Sequence, residues 1–598
     1  MAVRPRTPTA LMLVGVLAVS VAPSAARDRG PDVLDWPQLH RDLRNSKFAP
    51  LAGPRTLVPT WHALDGRAAT TFVATGRHGR VYALTMDPGP CHLHALDREG
   101  QVVWCSDEVR TLFSSVATSA DGGVFVSDGT EVFRFEEDGG IAWRVPASGP
   151  ALAVVFTREG YPAIIDYRAV ATVYDPSSGA IVAGPLALPV GFFPRPSPLP
   201  SGLQAFSTGA PLAGWDPAFV DTFIDAFQGF DTAVGNNAPA VHPESGRIFI
   251  AVPADPSKTT GLLYGIDFTP ATGTTPAALT IGCTAPMGLR TSTSPSISAD
   301  GSHIYAGDQS GTLFAFDTRD CGIAWSLPLG GAALASPTAG LAGRLYMLIN
   351  GRVTAIQDDG ASARVRWQSD IAPLAQLEGF AGGRFQSTIP LRQNYLYGAA
   401  TYYRTVPGST ASVPAASVLA TIDAETGAIV STAQLGEESN SVVSLTRDGT
   451  IFVASKPIVK AQALGTPSLA PHVAPARAGI YAFEPASYLE LALEGIGVAV
   501  GFADRAAAAL NTGDTEAALL EVDRALQQAR VVPETLQRAL DRGEIARRAS
   551  ILASARLHAA GVLLRSASRA IERQGRASET LLQLARTQLE AASATVGR

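Results

Sequence analysis

Two hydrophobic periods divide this chain. Up to residue 485 apolar and polar positions alternate in short runs ended by Gly, Asp, Asn or Pro, the mark of half-buried strands joined by tight turns. One phrase returns within this region: aromatic or aliphatic, small, aliphatic, acid, a few polar residues with Gly, an apolar pair and Trp. It reads ALDREGQVVW at 95–104, FRFEEDGGIAW at 133–143, FAFDTRDCGIAW at 314–325 and, stretched, VTAIQDDGASARVRW at 353–367. Copies without Trp are YDPSSGAIV at 174–182, YGIDFTPATG at 264–273, TIDAETGAIV at 421–430 and YAFEP at 481–485. The acid positions Asp97, Glu136 and Asp175 stand 39 residues apart. An even period of about 40 residues made of strands predicts a β-propeller.

Ahead of the phrases stand turns and alternating runs, as in ADGGVFVSD at 120–128 and RDGTIFVAS at 447–455. Asp-Gly and Ser-Gly supply the positive φ of hairpins. Each unit therefore reads as four strands, and eight units start near residues 69, 114, 151, 236, 293, 335, 388 and 440. The eighth has no outer strand after Pro485. LVPTWHAL at 57–64 carries the apolar pair and Trp61 without a unit of its own, so it completes the eighth and closes the ring, which removes exposed sheet edges. An insertion at 189–235 contains DPAFVDTFIDAF, a short helix by its spacing, with Trp215, Phe219, Phe223 and Phe227 recurring every four residues as a contact patch or as packing onto the rim. Longer excursions cover 401–416 and 456–478.

After Pro485 the period becomes helical. Residues 487–598 are rich in Ala, Leu, Arg and Glu and predict a bundle or hairpin of four helices. Leu519, Val522 and Leu526 form a stripe after the break at Gly513-Asp514. Pro533 is expected to open the next helix, Gly543 to mark a kink, and Gly575 to precede a last helix carrying Leu581, Leu584, Ala585 and Leu589. The expected fold class is thus mainly β: an eight-bladed β-propeller over 33–485 with a C-terminal α-helical domain.

The repeated phrase, together with WPQLHRDLRNSKFAP at 36–50, resembles the PQQ-like repeat propellers. That family includes quinoprotein dehydrogenases and the propeller subunit of the outer-membrane assembly machinery. The resemblance implies that each outer-strand Trp docks against the next blade, and Trp61, Trp104, Trp143, Trp325 and Trp367 match that position. Blades three, four and seven depart from it. Ile181 and Ile429 lie near the place in blades three and seven, so docking there is expected to be aliphatic. The helical tail matches nothing in the family.

With 46% hydrophobic and 17% charged residues in 598, the chain can bury a large core. Residues 1–26 read as a secretory signal: Arg4 and Arg6, an apolar run from Ala10 to Val21, then Ser24-Ala25-Ala26. Their apolar run is too short for a membrane span, and no later stretch is long enough. The expected location is periplasmic or secreted. Four cysteines suit that compartment, and their spacing suggests the pairs Cys91–Cys105 and Cys283–Cys321, one of three connectivities, each bridging neighbouring strands. A net charge of −6 gives no reason to expect nucleic acid.

Catalytic chemistry is sparse. A quinoprotein of this family implies adjacent cysteines on the quinone, a calcium ion and an Asp base, and no two cysteines here are adjacent. His92 and His94 alternate beside Cys91 and offer two imidazoles without a visible third ligand, fewer than a metal site needs. GIGVAVG at 495–501 lacks the strand of a dinucleotide site, so Gly497 and Gly501 are expected to let two helices approach. From 542 to 576 eight Arg face only Glu544 and Glu572, a basic helix open to anionic lipid, lipopolysaccharide or an acidic partner. These features favour an exported, cofactor-free, non-catalytic binding or scaffold module whose loops recognise an envelope protein, glycan or lipid. The alternative is an oxidoreductase of alcohols or sugars using PQQ with calcium.

Overall fold

The computed structural model describes residues 35–597 except 70, 88, 111–113, 192–193, 200–220, 222–223, 225–236, 254–259, 290–292, 332–334, 370–379, 476 and 575–576. The expected signal at 1–26, and Trp215, Phe219, Phe223 and Phe227 of the insertion, lie outside the described residues. Eight four-stranded antiparallel sheets form the propeller. Their third strands are the eight phrases, from Leu93–Leu96 in blade one to Ile480–Pro485 in blade eight. The strand Leu57–Ala63 supplies the outer strand of blade eight, with Trp61 opposite Ala482 and His62 stacked on Tyr481 at 4.2 Å. Blade seven differs from expectation: its first strand is Phe380–Phe385 rather than a run near 388. The excursion at 401–416 is the continuation of its second and third strands, Tyr395–Thr405 and Ser412–Asp423, into one long hairpin.

One irregularity recurs in all eight blades. The ladder between third and fourth strands slips by one residue at the same step, so that in blade one Val102 faces Leu96 but Trp104 faces Ala95. The same slip sets Trp143 opposite Arg134, Trp325 opposite Ala315 and Trp367 opposite Ala355. A bulge of this kind turns the strand and re-aims its side chain. Here it turns the indole toward the next blade.

What the indole meets there is a glycine. Gly100, Gly139, Gly179 and Gly427 lie in the turns after the acid positions with φ between 73° and 93°, and a Cβ on any of them would sit 2.5–2.8 Å from Trp61, Trp104, Trp143 or Trp367. Only glycine fits both demands. The indole N–H completes the contact by donating to a carbonyl of the same turn: Trp61 to Arg98 at 2.8 Å, Trp104 to Glu137 at 2.9 Å, Trp143 to Pro176 at 3.0 Å. Trp367 Nε1 has no partner among the described residues, and the corresponding carbonyl, of Ala424, accepts from Tyr346 Oη at 3.0 Å.

The register corrects the expectation for the blades without Trp. The docking place is held by Ala183, Cys283 and Ser431, two residues beyond Ile181 and Ile429 in blades three and seven. Ser431 Oγ donates to Arg55 O, a polar rather than aliphatic contact. Cys283 is bonded to Cys321, and Cys321 occupies the glycine place of blade five: its φ is 62° and its N–H donates to Asp317 O, as Gly179 N–H does to Asp175 O. This disulfide therefore joins neighbouring blades, not neighbouring strands. Cys91–Cys105 stays within blade one, linking the approach to its third strand with its outer strand. At the axis, hydroxyls of the inner strands repeat the stitching, Thr118 to Thr75 O, Ser296 to Pro337 O and Thr338 to Ile389 O.

The excursion at 456–478 contains a short helix, α1 (Ile458–Leu464), whose Ala463 packs with Val473 on Val406 and Val413 of the blade-seven hairpin. Four helices follow: α2 (Tyr488–Asn511), α3 (Thr515–Asp541), α4 (Arg547–Glu572) and α5 (Ser578–Val596). Their buried positions step by three and four, as at Ala553, Leu557, Ala560, Leu564, Ala567 and Ile571 of α4, the spacing of bundle cores. Pro533 lies inside α3 rather than opening a helix, and Gly543 ends α3 with φ 72° rather than kinking it. On α5 the core residues are Leu582, Ala585 and Leu589, while Leu584 is exposed. Close helix approach occurs at Gly495, whose Cβ would stand 2.6 Å from Gln528, and not at Gly497 or Gly501.

Replacing Gly139 by Ala puts a methyl 2.8 Å from Trp104 at φ 93°, whereas Gly160→Ala meets open space at φ 88°. The second substitution is expected to cost about 1 kcal/mol from backbone strain alone, and the first about 1–3 kcal/mol more from overpacking. Chemical denaturation followed by tryptophan fluorescence gives the order, and equal losses would show that the indole does not confine the turn.

Candidate functional site

The axis of the ring is occupied by the chain itself. Carbonyls of residues 36–47 accept backbone N–H groups from six blades, five times from an inner strand: Trp36 from Thr75, Pro37 from Thr118, Leu43 from Val241, Arg44 from Ile297, Ser46 from Ala339, and Lys47 from Leu391, which follows the first strand of blade seven. The segment's polar side chains are spent on the same walls. Asn45 Nδ2 donates to the carbonyls of Ala238, Pro239 and Pro295, and Lys47 Nζ to Asn45 O, Ser296 Oγ and Pro337 O at 2.6–2.7 Å. Lys47 is fully buried, and that burial holds its amine well below the usual lysine range. His40, beside Ser294 Oγ at 2.8 Å, is held low for the same reason.

The bundle covers this end of the ring. Gln528 of α3 accepts from Ala52 N, Glu494 of α2 accepts from Asn394 and Tyr395, and Arg538 of α3 pairs with buried Asp448 at 2.6 Å. Arg538 also lies over Tyr488, as does Arg542, which pairs with Glu484. Despite its burial, Asp448 titrates below the ordinary carboxylate range, since Arg538 and the Thr446 hydroxyl favour its charged form.

A cavity of about 270 Å³ opens between blades five and six, lined by Asp300, Ser302, His303, Leu345 and Asp358 among others. Asp358 accepts four hydrogen bonds, from His303 Nδ1 at 2.8 Å, Tyr305 Oη at 2.7 Å, Trp325 Nε1 at 2.9 Å and Gly360 N at 2.8 Å. Here the indole clasp has exchanged a carbonyl for a carboxylate. A second cavity of about 400 Å³ shares Asp300 and Ala342 and reaches Arg344, Glu425, Glu521 and Arg524 under the bundle. No residue of the first cavity stood out in the sequence; the departure of Asp358 from the repeat becomes visible only once the blades are aligned.

On the far face, at the loops, a buried ionic cluster anchors the excursion at 456–478. Glu437 pairs with Lys460 at 2.7 Å, and Glu438 accepts the N–H groups of Val459 and Lys460. Burial pushes Glu438 up to about 7 and Lys456 down to about 7.

The remaining sequence candidates fall apart as sites. His94 is buried and held down to about 4 chiefly by burial, while His92 is partly exposed. Among the described residues no three His, Cys, Asp or Glu converge to hold a metal ion, and no helix is long and apolar enough to cross a membrane. Gly497 and Gly501 line a groove between α2 and Gln393–Asn394 of blade seven.

These features define an eight-bladed propeller of clasped repeats, plugged at its axis and capped by a four-helix bundle. Residues 91–182 match the family model described as outer membrane protein assembly factor BamB, from just before the third strand of blade one to the outer strand of blade three. That match and the eight equivalent blades bear out the resemblance to PQQ-like repeat propellers. Protein Rv3035 of Mycobacterium tuberculosis is 23% identical over 358 residues, 58% of this chain and 79% of that protein. Among solved structures, BamB from Moraxella catarrhalis is 11% identical with a TM-score of 0.41, over 72% of this chain and 99% of that one. Quinohemoprotein alcohol dehydrogenase from Comamonas testosteroni is 12% identical with a TM-score of 0.44, over 75% and 80%.

Because Glu438 holds its proton more tightly in the fold than the ordinary value of 4.5, it favours the fold at low pH and that contribution is lost as pH rises from 4.5 toward about 7. Ionising it at neutral pH costs about 3 kcal/mol. Glu438→Gln removes the titration, so the variant's Tm relative to wild type is expected to be higher at about pH 8 than at about pH 5. A difference between the two proteins that stays constant with pH contradicts this.

Proposed function

We propose that this protein is an exported, non-catalytic binding or scaffold module of the cell envelope, presenting the loop face and rim of a rigid ring to a partner. The observation that carries this reading is the plugged axis. Residues 36–47 fill the end of the lumen that the bundle then covers, and their Lys47, Asn45 and His40 side chains are committed to the ring's own walls. The opposite face carries the blade-seven hairpin and the excursion at 456–478. Loops on a rigid scaffold are where recognition is usually built. Two disulfides support an oxidising compartment, hence export.

The quinone-dependent alternative fits the residues poorly. All four cysteines are engaged in disulfides whose partners are 14 and 38 residues apart, so no adjacent pair is available to stack on a quinone. Lys47, Asn45 and His40 of the plug offer an amine, an amide and an imidazole, and among the described residues no three His, Cys, Asp or Glu converge to hold a metal ion.

Purified protein incubated with PQQ and calcium and then desalted is expected to retain no stoichiometric chromophore and to reduce no dye with alcohols or sugars. A stoichiometric chromophore with dye reduction reverses the reading. The scaffold side is checked by affinity capture from envelope extract with the full chain, where no enriched partner counts against it.

A further inference from the structure

We propose that the outward face of α4 docks the protein on an anionic bilayer surface. The helix and its C-cap carry Arg547, Arg548, Arg556, Arg565, Arg569 and Arg573, against the single acid Glu572. None of the six forms a salt bridge with a described residue, although arginines elsewhere in the bundle, such as Arg505, Arg524, Arg538 and Arg586, are paired. Between them stand three exposed aliphatic side chains, Ile551 at 58%, Leu552 at 47% and Val562 at 45% exposure.

Helical spacing collects these groups. With Ala553, Leu557, Ala560, Leu564 and Ala567 turned into the bundle, a rotation of about 100° per residue places Arg547, Arg548, Ile551, Val562, Arg565, Arg569 and Arg573 within an arc of roughly 100° on the other side. Leu552 and Arg556 flank that arc. The face points away from the ring, because the contacts that seat the bundle on the propeller come from α2 and α3.

The shape and chemistry favour a lipid surface over an acidic protein. A single helix offers a convex ridge, about 39 Å long for 26 residues, and protein hot spots need a concave, fully desolvated centre. Aliphatic side chains scattered among guanidinium groups match a bilayer interface, where the former enter the acyl boundary and the latter meet headgroup phosphates. Charge complementarity also fixes orientation. The whole chain carries −6, so an anionic plane repels the acidic body and attracts only this edge. Docked this way, the loop face of the propeller points away from the membrane.

The test is co-sedimentation of the full chain with vesicles of phosphatidylglycerol and phosphatidylcholine in equal parts, and with vesicles of phosphatidylcholine alone. Binding to the anionic vesicles is expected to be at least about tenfold stronger and to fall with salt. The triple variant R547E/R548E/R569E at three exposed positions, checked for an unchanged circular dichroism spectrum, is expected to lose at least about tenfold in that binding. Ile551→Ser with Val562→Ser is expected to weaken it without abolishing it. Equal binding to both vesicles, no binding to either at low salt, or undiminished binding of the charge-reversed variant each overturns the proposal. So does an acidic protein captured through these arginines by a chain that ignores the anionic vesicles.

Discussion

The structure depends on the contact between one blade's outer strand and the next blade's turn. Sheets arranged radially share no ladder, and backbone hydrogen bonds such as Val442 N–H to Thr71 O and Phe385 N–H to Gly351 O tie neighbours only at single points. The indole over a glycine supplies a wider hold: broad apolar burial, an N–H to a carbonyl, and a turn that no larger residue can occupy. The strand slip that aims it recurs in every blade, and the indole closes on a glycine at four of the joints. Where the indole is missing, the same two positions are joined otherwise, most firmly by Cys283 and Cys321. That joint is closed only when its two thiols are oxidised.

Closing the ring with the strand Leu57–Ala63 has a further effect on the chain. The residues before that strand must leave from blade eight, and the space available to them is the axis. Residues 36–47 enter it and accept backbone N–H groups from six blades. A buried lysine is costly unless its donors are used, and Lys47 finds three acceptors from its own segment and from two blades. The plug is therefore built into the closure rather than added to it.

Much of this was legible in the sequence because it follows from period and turn chemistry. The eight third strands, the closure through Trp61, both cysteine pairs and the helical tail all rest on local signals that packing had no reason to override. What failed were inferences about faces and joints. Ile181 and Ile429 read as docking residues because a bulge cannot be seen in sequence, and the slip moves the place on to Ala183 and Ser431. Pro533 reads as a helix start, but it sits within α3. Leu584 looks like core until the bundle's register gives that role to Leu582. The cavity around His303 and Asp358 left no signal at all, since its residues come from two blades and Asp358 looks like any other acid of the repeat.

The departures from the repeat are not spread evenly round the ring. Blade three ends on Ala183 and leads into the long insertion, blades four and five are joined by the disulfide, and blades five and six meet at a carboxylate instead of a carbonyl. Blades eight, one and two keep the indole, glycine and carbonyl unchanged. Blades six and seven keep the indole and glycine, but Trp367 Nε1 finds no partner among the described residues, and at the end of blade seven Ser431 donates to Arg55 O, so each joint from blade three to blade eight departs from the pattern. The run of altered joints meets the bundle at blades five and six, where one cavity opens between the blades and a second beside it reaches Glu521 and Arg524 of α3.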